Sequence, residues 1–93
     1  MSPETVARTV RVHGLVQGVC FRDSCRREAV RHQVTGWIRN DYDGSVHACF
    51  EGAPDTVEAM VAWCRVGPSH AHVERVDVED QASTGRTTFE ILG

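Results

Sequence analysis

The sequence predicts an α+β domain in which an antiparallel sheet carries two helices on one face. Three observations predict it. Stretches alternating between apolar and polar residues recur at 5–14, 45–52 and 71–80. Two other stretches, 21–33 and 54–66, space their apolar residues at helical intervals. The two kinds interleave in the order βαββαβ, and periods of 2 and 3.6 residues distinguish strand from helix.

The elements follow in chain order. "TVARTVRVHG" (5–14) sets Val6, Arg8, Val10 and Val12 on one face and Thr9, Arg11 and His13 on the other, a strand with one buried face. Gly14 and Gly18 break it into a loop. From Phe21 to about Gln33 there is neither Gly nor Pro, and Phe21, Cys25 and Ala29 recur every fourth residue, the stripe of a helix. "VTGWIRN" (34–40) is strand-like, and the "DYDG" after it (41–44) ends in the Asp-Gly of a hairpin. "SVHACFEG" (45–52) turns Val46, Ala48 and Phe50 inward. Pro54 suits a first helical turn, with Asp55 and Glu58 near the positive end of the helix dipole. Val57, Met60, Val61 and Cys64 form its buried stripe, and Gly67-Pro68 stops it.

In "AHVERVDVED" (71–80) the apolar phase slips by one between Val73 and Val76, which predicts a β-bulge. "TTFEIL" (87–92) ends the chain with Phe89 and Ile91 inward, read as beside the fourth strand or continuous with it. This order is the split βαβ, or ferredoxin-like, sandwich, one domain over 1–93. Trp37, Met60 and Phe89 read as core or sheet-face residues.

Composition narrows the function. Net charge is −3 and all ten basic residues are Arg, so a general nucleic-acid binder and any lysine-based mechanism are both disfavoured. No apolar run approaches the roughly 20 residues that span a bilayer, and residues 1–7 lack the regions of a secretory signal. The expectation is a cytoplasmic protein. Cys20, Cys25, Cys49 and Cys64 include no CxxC pair, so zinc, haem and thioredoxin-type sites fail on spacing. The five histidines form no visible ligand set, and His70 and His72 read as surface residues.

The informative stretch is "GLVQGVCFR" (14–22). A loop that leaves a strand and enters a helix exposes successive backbone N–H groups, and glycine permits close approach of an anion. Arg22, at the helix start, has a planar fork that holds two oxygens of one phosphate. Neither GxxxxGK[ST] nor GxGxxG is present, so the loop serves no nucleotide in either familiar way. By itself it also fits a tight glycine turn beside a surface arginine.

A second stretch decides between these readings. "GLVQGVCFR" and "GWIRNDYDGSV" (36–46) together closely resemble the acylphosphatase family. The similarity continues through "EG" (51–52), "VEAMVAWCRVGP" (57–68), "VERVDVE" (73–79) and Phe89, nearly the whole chain. The resemblance implies hydrolysis of carboxyl-phosphate anhydrides to a carboxylate and inorganic phosphate, with no metal or cofactor and a small-molecule substrate as the partner. It implies Arg22 as the phosphate-binding arginine, Asn40 as the residue orienting the attacking water, and Leu15, Val16, Gln17, Gly18, Val19 and Cys20 as the cradle. The residue after Gly14 is usually basic in this family and here is Leu15. The expected state is a monomer.

Two rivals have physical content. Cys20 and Arg26 stand in the C-x5-R spacing of cysteine-dependent phosphatases, but the intervening residues read as helix and would not wrap a phosphate. A non-catalytic ferredoxin-like module that only binds an anion would also present a cradle. Asp23 reads as a helix-start acid rather than a general base, and Asp41 and Asp43 as residues shaping the hairpin.

Overall fold

The computed structural model describes residues 4–93; the first three residues of the 1–7 stretch read for a signal lie outside them. Five strands and two helices follow in the order β1 (Val6–Leu15), α1 (Phe21–Arg31), β2 (Thr35–Asn40), β3 (Val46–Gly52), α2 (Pro54–Val66), β4 (His72–Gln81) and β5 (Phe89–Ile91). The strands form one sheet in the order β4-β1-β3-β2-β5. β1 pairs antiparallel with β3 and β4, and β2 pairs antiparallel with β3. β3 thus lies between β1 and β2, and β1 between β3 and β4, the interleaving that defines the split βαβ sandwich.

The apolar stripes meet as their spacing predicts. Val10 and Val12 of β1, Ile38 of β2, and Val46, Ala48 and Phe50 of β3 are buried against Phe21, Cys25 and Ala29 of α1 and Val57, Met60, Val61 and Cys64 of α2. Phe50 stacks on Phe89 with ring centroids 5.9 Å apart, and Phe21 meets Trp63 edge-on at 5.2 Å. Full burial of a side chain such as Phe50 or Phe21 contributes about 1.5–3 kcal/mol by leaving water. Among the described residues, no helix covers the opposite sheet face. There Trp37 packs edge-on against His47 at 4.9 Å, with the Arg39 guanidinium over its ring at 5.2 Å. All four cysteines are unpaired; Cys25, Cys49 and Cys64 are buried and Cys20 is exposed.

The phase slip in the fourth strand is a bulge. His13 faces Arg75 and Gly14 faces Val73, so Glu74 is the extra residue. The chains come so close there that a Cβ on Gly14 would stand 2.2 Å from the His72 carbonyl oxygen, which only glycine tolerates.

Three details depart from the sequence reading. β5 does not lie beside β4; it adds in parallel to β2 at the far edge, so a short parallel pair extends an otherwise antiparallel sheet. The alternation of Phe89 and Ile91 fixes which face is buried but not which neighbour is paired. α1 ends at Arg31 instead of continuing to Gln33, because Gln33 turns left-handed (φ 59°) and Val34 N–H bonds back to the Ala29 carbonyl to start β2. Asp43 shapes the hairpin, its carboxylate accepting from Ser45 N–H (2.9 Å) and Oγ (2.6 Å), but the Asp41 carboxylate faces Arg11 and Arg39 instead.

Candidate active site

The C-terminal ends of β1 and β2 are brought to the same edge of the sheet because both run parallel on either side of β3. β1 delivers the glycine loop there and β2 delivers Asn40, its last residue. Between them opens a cleft of about 380 Å³ lined by Val16, Gly18, Cys20, Phe21, Arg22, Asp23, Asn40 and Ile91.

The loop backbone alternates in hand. Gly18 (φ 74°) and Cys20 (φ 62°) are left-handed, whereas Val19 between them is not. Such alternation of hand turns successive N–H groups toward one concave side. Cys20 is the N-cap of α1, and among the described residues no side chain caps that end. The first-turn N–H groups of α1 and the positive end of its dipole therefore face the loop without a side-chain acceptor. Arg22, one residue inside the helix, lines the cleft; its Nη1 donates to the Gly93 carbonyl. Asn40 faces it from β2 with an amide that donates and accepts but carries no basicity.

The structure brings together Val16, Gly18, Cys20, Arg22 and Asn40. The other three residues, expected for their backbone, turn their side chains away from the cleft. Leu15 is still in β1, in register with His72, and its side chain is exposed. The Val19 side chain packs on the core. Gln17 turns its side-chain amide to the hairpin, donating to the carbonyls of Asp41 and Ser45. Ile91, which sequence reading assigned only to the core, lines the cleft because β5 joins the β2 edge. Asp23 also lines it, in the first turn of α1 where an acid suits the dipole.

The C-x5-R rival fails on geometry. Residues 21–26 are helical, and Arg26 Nε points to the Phe89 carbonyl at 3.3 Å rather than back to Cys20. The histidines are dispersed: His13 contacts Asp77, His32 lies 3.9 Å from Glu28, His47 sits among Arg11, Arg39 and Asp41, and His70 and His72 are exposed.

A two-layer sandwich in which a strand–helix glycine loop, one arginine and one amide line a single cleft has the groups that phosphoryl chemistry uses. The family model named acylphosphatase matches residues 8–91. The chain is 53% identical over 83 residues to an acylphosphatase of Rubrobacter xylanophilus, covering 88% of this chain and 76% of that one. It is 48% identical over 86 residues to an acylphosphatase of an Azoarcus species, covering 92% and 88%. The solved structure of an acylphosphatase from Coxiella burnetii superposes with a TM-score of 0.91 at 33% identity, covering 95% of this chain and 93% of that one. The chain belongs to the acylphosphatase family, and its activity is the hydrolysis of acyl phosphates.

Proposed function

We propose that Arg22 and Asn40 are the catalytic side chains and that the backbone of residues 16–20 with Arg22 holds the phosphoryl group. The observation that carries this reading is the convergence of Arg22, the left-handed Gly18 and Cys20, the uncapped α1 N-terminus and Asn40 on one cleft.

The chemistry fits so few groups. The group that leaves phosphorus is a carboxylate, which is stable without protonation, so no general acid is required. Phosphoryl transfer through a loose transition state asks mainly for positioning and for charge on the equatorial oxygens. Backbone N–H groups and the Arg22 fork supply that charge. Asn40 accepts from the attacking water and aligns it with phosphorus opposite the carboxylate. The water oxygen forms the new P–O bond, the bridging P–O bond breaks, and its electron pair leaves with the carboxylate. The water proton departs late, to a phosphate oxygen.

The same reading has the protein acting as a monomer in the cytoplasm, without a nucleic-acid partner. The proposed site residues all lie within 16–40 of this chain. The four unpaired cysteines suit a reducing compartment, and the net charge of −3 gives no general attraction to a polyanion.

The test is benzoyl phosphate hydrolysis in the presence of a chelator by the wild type, Arg22→Ala, Asn40→Ala and Cys20→Ser, with folding checked by circular dichroism. Turnover that survives chelator and Cys20→Ser but falls at least about a hundredfold in each of the other two establishes the roles. Turnover abolished by Cys20→Ser would instead indicate covalent catalysis by the thiolate. A folded wild type without turnover would leave a cradle that only binds an anion.

A further inference from the structure

We infer that the Gln17 side chain fixes Asn40 over the phosphate cradle, making Gln17 a positioning residue for the attacking water. The inference rests on the role proposed above for Asn40. Gln17 stands between Val16 and Gly18, both of which line the cleft. Its Nε2 donates to the Asp41 carbonyl at 2.8 Å and to the Ser45 carbonyl at 2.9 Å. Asp41 N–H also donates to the Ser45 carbonyl at 2.9 Å, so the two acceptors mark the two ends of the turn joining β2 to β3. Asp41 directly follows Asn40. One side chain thus ties the middle of the cradle to the residue adjoining the water-orienting amide. Among the described residues it is the one side-chain hydrogen-bond link between the 14–20 loop and the 40–45 turn.

The chemistry of the contact selects the residue. Both partners are carbonyl oxygens, so only the NH2 end of the amide fits, and its two protons match the two acceptors. A carboxylate of the same length would set lone pairs against lone pairs. A lysine would supply donors but add a positive charge beside the cradle. The neutral amide makes the tie without competing with Arg22 for the phosphoryl oxygens. Since a displacement of about 1 Å near the reacting atoms costs about a hundredfold in rate, a tether at this point acts on kcat.

The experiment compares wild type, Gln17→Met, Gln17→Ala, Asn40→Ala and the double variant Gln17→Met/Asn40→Ala in benzoyl phosphate hydrolysis, with inorganic phosphate as competitive inhibitor. Methionine keeps the length of the side chain and removes the donors. The expected result is a roughly tenfold to hundredfold fall in kcat for Gln17→Met, with the phosphate inhibition constant within about twofold of wild type. In the Asn40→Ala background the same substitution changes kcat by less than about twofold, because the residue it positions is already gone. Unchanged kcat in Gln17→Met with an active wild type would overturn the inference alone. So would losses that multiply in the double variant, or a phosphate constant that weakens as much as kcat falls, which would make the Gln17 side chain itself a phosphate ligand. A folded wild type without turnover would overturn the activity and this inference with it. Should both Gln17 variants fail to fold, proton exchange of the wild-type Gln17 NH2 group decides. Strong slowing relative to a free glutamine amide is expected, and free-amide exchange would overturn the tether.

Discussion

Arg11 of β1 and Asp41, the residue after Asn40, form an ion pair across the helix-free face of the sheet. Arg39 binds the other carboxylate oxygen of Asp41 at 3.1 Å, so one acid holds two guanidinium groups together. The Asp41 side chain is only 17% exposed, which limits screening by solvent. Asp41→Asn removes the charge that lets Arg11 and Arg39 sit together. A stability loss of about 1 kcal/mol is expected in urea unfolding. The loss should shrink in high salt, which screens the repulsion between the two arginines. A loss that grows with salt would contradict this account.

His47 shares that cluster and gives it a pH dependence. Burial pushes its pKa below the ordinary imidazole value, the neighbouring Arg11 and Arg39 push the same way, and Asp41 and Glu79 oppose them. Both arginines lie near Nδ1, Arg39 at 3.3 Å and Arg11 at 3.4 Å, which favours the neutral ring as acceptor. The folded state therefore binds this proton less readily than the unfolded chain. Its contribution is complete above about pH 6.5 and declines as pH falls through the lower folded value. Replacing His47 with Gln should flatten the stability profile between pH 7 and 5, as read from thermal unfolding midpoints. An unaltered slope would place the acid sensitivity elsewhere.

Glu51 is a buried acid with a structural task. It is 3% exposed, and its carboxylate accepts from Thr84 N–H (2.7 Å), Thr84 Oγ1 (2.6 Å) and Gly85 N–H (3.3 Å). Burial alone would raise its pKa, but these hydrogen bonds, with the charge of Arg86, outweigh burial and lower it. Glu51 thereby orders the segment that leads into β5, and β5 supplies Ile91 to the cleft. Its stabilisation is present above the unfolded carboxylate value of about 4.3 and is lost as pH falls through the lower folded value. Glu51→Gln turns one acceptor into a donor facing donors. A loss of about 1–3 kcal/mol at pH 7, narrowing toward pH 3, is expected from urea unfolding at the two pH values. A constant difference across that range would show that packing, not ionisation, carries the effect.

Much of this was legible from residue spacing. Val46, Ala48 and Phe50 alternate, Val57, Met60, Val61 and Cys64 follow a helical stripe, and all are buried as their periods require. Val73 and Val76 fall out of phase because Glu74 is bulged opposite Gly14. The joint resemblance of two segments singled out the loop, Arg22 and Asn40, and the fold sets them around one cleft. Long-range partnerships were not legible. β5 is three residues long, and no period in Phe89 and Ile91 names β2 as its neighbour. Glu51 reads as an outward polar residue of a strand until the 84–85 segment covers it. Gln17 reads as a cradle residue because its carbonyl partners belong to a turn 24 and 28 residues away.

Gly18 and Gly14 separate conformation from collision in the same loop. A Cβ on Gly14 would strike the His72 carbonyl at 2.2 Å, whereas one on Gly18 would meet nothing within 4 Å. At Gly18 the constraint is therefore the left-handed backbone (φ 74°), which costs an L-residue about 1–2 kcal/mol. Gly18→Ala either bears that cost or relaxes φ and turns the neighbouring N–H groups out of the proposed cradle. Its expected signature is weaker inhibition by inorganic phosphate with at most about 1–2 kcal/mol of stability lost. Gly14→Ala must part β1 from β4 at the bulge, so its signature is a loss of more than about 3 kcal/mol, seen in thermal and urea unfolding. If Gly18→Ala bound phosphate like the wild type, the backbone of Gly18 would have no part in holding the anion, and the cradle would reduce to the α1 N-terminus and Arg22.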